Sequence, residues 1–186
     1  MLKLLLASAL WLASFGAWAQ GLTPAQLATK CTAVKANPTA NALRIAGDGG
    51  GMRGWLNQTF SPAWVAWKPS VPTLEIGQAV NYVAVAAMTA TNLERVNTFM
   101  RLNPNTFNPA RADIRTYMSD TFSGALGGQG QATRDALDAL YRRSATNAER
   151  QLATGAGTTQ DPGVLVFAGA VVQADANWLV NPATCF

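Results

Sequence analysis

The chain has 186 residues, 49% of them hydrophobic, and its 14 basic and 10 acidic residues give a formal charge of +4. That composition excludes intrinsic disorder and suits one domain with a core of its own. The basic residues are scattered among acids, with no basic stripe or recognisable module, which argues against nucleic acid as a partner.

Lys3, the apolar run from Leu4 to Phe15 and the small-residue end Ala17-Trp18-Ala19 before Gln20 form the n-region, h-region and A-x-A site of a signal peptide. The run falls short of the roughly 20 apolar residues that a membrane-spanning helix needs. The reading is therefore a signal at 1–19, cleavage between Ala19 and Gln20, no permanent membrane anchor, and an exported helical domain over 20–186, periplasmic or extracellular.

Leu22-Thr23-Pro24-Ala25-Gln26-Leu27 predicts a helix start, with Thr23 as N-cap, Pro24 in the first turn, Gln26 closing a capping box and Leu22 stapled against Leu27. This helix is expected to end near Ala36, with Leu27, Cys31 and Val34 inward. Short helices are expected over Thr39–Ala46 and Met52–Asn57, separated by a glycine turn at 47–51. Three prolines make 59–72 irregular. Further helices are expected over Leu74–Met88, from Thr91 (capped with Glu94) to Leu102 with Leu93, Val96, Phe99 and Met100 facing the core, and after Asn108-Pro109. The longest is expected over Gln131–Ala153, following a break at Gly124–Gly130. Its Arg134, Asp138 and Arg142, at steps of four, read as a solvated face. Gly163–Val172 is the strand signal. The predicted fold class is mainly α: a single compact helical domain of five to seven helices with a short C-terminal β segment.

Cys31 and Cys185 are the only cysteines. In an exported protein that count most simply makes one disulfide, tying the first helix to the C-terminus; two unpaired buried thiols are the alternative.

The chain contains no histidine. This removes the Ser-His-Asp and Cys-His arrangements and the usual zinc ligands. The glycines at 47–51 lack the Gly-Lys pair of a phosphate loop, and Asp48 lacks the companions of a calcium loop. No cofactor or metal is expected. Glu75, Glu94, Asp113, Asp120, Asp135, Asp138 and Glu149 sit where helix surfaces or first turns would hold them. They leave a carboxylate-based cell-wall enzyme or carbohydrate binder as the second hypothesis. Trp55, Phe60, Trp64 and Trp67 are either an interface platform or core.

The stretches Leu22 to Leu27, Phe60-Ser61-Pro62-Ala63-Trp64-Val65-Ala66-Trp67-Lys68, Asn108-Pro109-Ala110, Ala145 to Arg150, Thr154 to Thr159 and Phe167-Ala168-Gly169 resemble a family of small structural-module proteins from the head or tail region of tailed phages and prophages. The resemblance spans nearly the whole mature chain and rests on pattern and order. It implies a non-enzymatic virion or assembly part, a homo-oligomer or a partner of phage structural proteins, and brings no functional residues with it. Virion parts assemble in the cytoplasm, where neither a signal peptide nor a disulfide belongs. The resemblance therefore implies either a phage-derived domain repurposed for export or a cytoplasmic assembly protein with a misassigned start.

Overall fold

The computed structural model describes residues 21–122 and 126–185. The signal segment, its Ala19–Gln20 cleavage point and part of the glycine break at 124–130 lie outside the described residues. In chain order the elements are α1 (Pro24–Ala36), α2 (Pro38–Ile45), α3 (Gly49–Asn57), β1 (Val65–Trp67), β2 (Val71–Pro72), α4 (Thr73–Ala79), α5 (Tyr82–Ala86), α6 (Ala90–Leu102), β3 (Thr106–Phe107), α7 (Ala112–Thr121), α8 (Gly127–Tyr141), β4 (Arg142–Ser144), α9 (Asn147–Leu152) and α10 (Gln173–Val180). The class is mainly α, with two two-stranded antiparallel ladders, β1 with β4 and β2 with β3.

Local chemistry explains most helix starts. The Thr23 hydroxyl accepts from Gln26 N at 3.3 Å while the Gln26 side chain accepts from Thr23 N at 2.9 Å, so the predicted capping box forms. Asn37 both ends α1 and caps α2. The glycine turn is shorter than expected, because α3 begins at Gly49 behind an Asp48 cap. A Cβ on Gly49 would lie 2.1 Å from Asn177 Oδ1 of α10, so glycine is what permits that approach.

Four expectations fail for identifiable reasons. Leu74–Met88 is two helices, because Asn81 leaves the helical path and caps α5, its side chain accepting from Val83 N at 2.9 Å. Asparagine favours such caps over helix interiors. The cap of α6 is Thr89, not Thr91, and Glu94 turns instead to Thr98 and Arg101. The long helix stops at Tyr141, since 142–144 pair with β1 and Thr146 starts α9 with a second capping box through Glu149. The strand expected over Gly163–Val172 is reduced to single bridges, Ala66 with Gly163 and Thr154 with Val164. With α10 unforeseen as well, the described residues hold ten helices where five to seven were expected.

Contacts gather the chain into two compact units. The first combines residues 21–58, 146–152 and 169–185. In it α1 packs on α2, α9 and α10, and α10 packs most extensively on α3. Its buried residues include Leu27, Val34, Met52, Leu56, Ala148, Val171 and Leu179. Cys31 and Cys185 are bonded, with Cα atoms 5.6 Å apart across 154 residues of sequence.

The second unit, residues 59–145 and 153–168, holds α4–α8 and all four strands. Its main core is aromatic: Phe107 meets Phe99 and Tyr141 edge-to-face at 5.3 and 5.4 Å, with Trp67, Ile76, Met118, Phe122 and Leu137 around them. Leu93 and Met100 of α6, expected inward, are largely exposed, and Phe99 carries that helix's burial. A second cluster centres on Trp64 with Ala66 and Ala145. The loop at 154–163 wraps Trp64, and a Cβ at Gly157 or Gly163 would fall 1.7 or 1.8 Å from the indole ring. Gly163→Ala is therefore expected to cost about 1–3 kcal/mol through overpacking. Gly128→Ala, whose new Cβ meets nothing within 4 Å in α8, is expected to gain about 0.5–1 kcal/mol. Urea unfolding of both variants checks this pair of opposite signs.

Candidate functional site

The residues singled out in the sequence are dispersed. Trp64 and Trp67 are core residues at 5% and 9% exposure, which corrects the platform reading for those two. Trp55, on α3 of the first unit, and Phe60, packed against the Trp64 cluster of the second, are half-buried. Among the acids, Glu94 pairs with Arg101, Asp113 with Arg111 and Asp138 with Arg142. Glu149 is not on a helix surface: it is 1% exposed. Among the described residues no group of three or more His, Cys, Asp and Glu side chains is placed to hold a metal. No described helix is long and apolar enough to cross a membrane.

Two charged arrangements stand out. In the first unit Lys30 of α1 is fully buried and donates from Nζ to the Ala148 carbonyl at 2.5 Å. Glu149 accepts from Thr146 N and Gly169 N, both at 2.9 Å, and Asp175 of α10 accepts from Leu22 N at 2.8 Å. Burial pulls the Lys30 pKa down to about 7, with the Glu149 and then the Asp175 carboxylate partly opposing it. A lysine so shifted is the kind found at active sites, but buried structural charges shift in the same way. Here the whole Lys30 side chain is buried.

The second arrangement is a cleft of about 150 Å³ between α7 and α8, wholly inside the second unit. Arg115 lies on it with its guanidinium 4.2 Å from the centre of the Trp67 ring, Nη1 donating to the Pro109 carbonyl at 2.6 Å. Burial lowers the Arg115 pKa, against the pull of Asp138 and Asp113. Arg134 donates to the Phe122 carbonyl at 2.7 Å and to Gln131 Oε1. Arg142 bonds Asp138 at 2.9 Å and also lies over Trp67, 5.3 Å from its centre. Tyr141 lines the same cleft, and burial, then the Asp138 charge, raise its pKa, so the phenol keeps its proton. The steps of four along α8 are thus half-buried and engaged, where a solvated face was expected.

No protein-family model, curated protein or solved structure matches the chain. The resemblance to phage structural modules accordingly gains no support from relatives.

Sequence reasoning missed Lys30, Asp175 and Arg115. The helical period did place Lys30 beside Cys31 on α1, but nothing local revealed that α9 and α10 would cover it. The Lys30 amine also has a measurable consequence. Unfolded, it titrates near its ordinary 10.5, and folded near 7, so between those values the unfolded chain binds the extra proton. Stability from this group therefore rises with pH across that window, at most about 1.4 kcal/mol per pH unit, and is level below and above it. Urea unfolding from pH 6 to 9.5 should show this rise in the wild type relative to Lys30→Met, in which it is absent.

Proposed function

We infer that the protein is an exported, non-enzymatic structural or protein-interaction part. The observation that carries this reading is an exposed apolar surface on α4 and α5, where Leu74, Tyr82 and Val83 are 78%, 73% and 59% exposed. The Tyr82 hydroxyl lies 3.8 Å from where a Cβ on Gly77 would stand, and Gly77 is one turn from Leu74, so Tyr82 reaches the part of α4 that carries Leu74, and Val83 follows it on α5. Neighbouring large apolar side chains in water mark protein contact sites more often than chemistry. Export is supported by the Cys31–Cys185 bond, which persists outside reducing compartments. The virion origin is the finer part of the proposal and rests on the resemblance of the sequence alone.

The surface would be used against copies of the same chain or against a virion protein. Light scattering on the mature chain should show association that is lost in Leu74→Asp/Val83→Asp, with the circular dichroism spectrum unchanged. A wild type that stays monomeric and is absent from purified particles would sink the reading. Intact mass should place the mature N-terminus at Gln20 and rise by about two hydrogens on reduction, reporting cleavage and the disulfide together.

A further inference from the structure

The cleft between α7 and α8 contains charged side chains that have no ion-pair partner within 4.0 Å among the described residues. Of the three arginines around it, Arg142 is committed to Asp138 at 2.9 Å. Arg115 and Arg134 make their hydrogen bonds to neutral oxygens only: Pro109 O, Phe122 O and Gln131 Oε1. Neither has a carboxylate within 4.0 Å among the described residues. A guanidinium carries five donors, so each arginine keeps several for a guest. On the acidic side Asp135 accepts the Gln131 amide at 2.7 Å and has no cation within 4.0 Å among the described residues.

The Arg115 head is also held in place. The Trp67 ring supports it at 4.2 Å and the Pro109 carbonyl anchors one nitrogen, so little freedom is lost when it grips a planar anion. Met118 and Leu137 supply the apolar part of the lining. A volume of about 150 Å³, that of a cavity that takes up benzene, gives room for a small free amino acid.

We propose that this cleft is a binding site for a small zwitterion of the α-amino-acid type. The carboxylate sits on Arg115 and Arg134, the ammonium faces Asp135, and the side chain lies along Met118 and Leu137. The assignment is independent of the apolar α4–α5 surface.

The test is isothermal titration of the disulfide-intact mature chain with alanine, glutamate and lysine, and with acetate, methylammonium and inorganic phosphate as single-charge probes. At least one amino acid is expected to bind tighter than about 1 mM. Acetate and methylammonium are expected at least about tenfold weaker, because each uses half of the site. Arg115→Gln and Arg134→Gln should each weaken the amino acid at least about tenfold. Asp135→Asn should weaken it while leaving acetate unchanged or stronger. Arg53→Gln, on α3 of the first unit, should have no effect.

Binding of no amino acid below about 10 mM overturns the proposal. So does acetate or phosphate binding as tightly as the amino acids, which would make this a plain anion site. If Arg115→Gln fails to fold by circular dichroism, Arg115→Lys decides: it keeps the charge and loses the fork, and unchanged affinity there and in a folded Arg134→Gln also overturns it. Leu74→Asp/Val83→Asp should bind the amino acid like wild type, which separates failure of this site from failure of the association surface.

Discussion

The first unit is organised around the buried carboxylate of Glu149. Its two oxygens accept from Thr146 N and Gly169 N, closing the α9 cap and fastening the stretch that leads to α10. One residue earlier, the Ala148 carbonyl takes the buried Lys30 amine of α1. Removing an ion from water costs several kcal/mol unless its lone pairs and protons find partners. The geometry meets that requirement with backbone groups from chain segments far apart in sequence. Losing any one of these partners would strand a buried polar group, so the assembly of three chain segments and the satisfaction of the Glu149 carboxylate and the Lys30 amine are one constraint. Asn57 extends the pattern, donating to Val171 O at 3.1 Å and accepting from Val171 N at 2.7 Å, while Asn147 donates to Trp55 O at 2.7 Å.

The second unit solves a different problem, that of fixing two tryptophans in a proline-rich segment with little regular structure of its own. Trp64 is enclosed by a loop whose glycines permit contact distances that any side chain would block. Trp67 is covered by cations, with the guanidiniums of Arg115 and Arg142 over its ring. A large apolar ring can thus sit beside charged groups, because the ring face attracts the cations it holds in place. The cleft chemistry and the aromatic core are for this reason parts of one arrangement.

What could be read from the sequence was the local part. Thr23, Pro24 and Gln26 act within four residues of one another, so their cap was legible before any tertiary contact was known. Thr146 and Glu149 carry the same spacing, yet an unbroken helical period from Gln131 obscured it, and the reading ran one helix through two. Asn81 was likewise read as part of one helix over Leu74–Met88 when it caps a second one. Leu93 and Met100 show the limit of periodicity: α6 turns a narrower stripe inward than its apolar residues suggest. Lys30, Glu149 and Asp175 were illegible in principle, because their burial is decided by segments more than a hundred residues apart. The loop at 154–163 was silent for the same reason, since its use depends on Trp64, some ninety residues earlier.

The span of the Cys31–Cys185 bond constrains how the molecule comes into being. Domains generally acquire structure from the N-terminal side as the chain is made or delivered. Here Cys31 emerges as the lone thiol, and its partner is made 154 residues later. With two cysteines in all, the chain has no internal alternative to choose wrongly. The risk during that interval lies instead with neighbours: another copy presents the same unpaired sulfur, and oxidation between copies competes until Cys185 is in place.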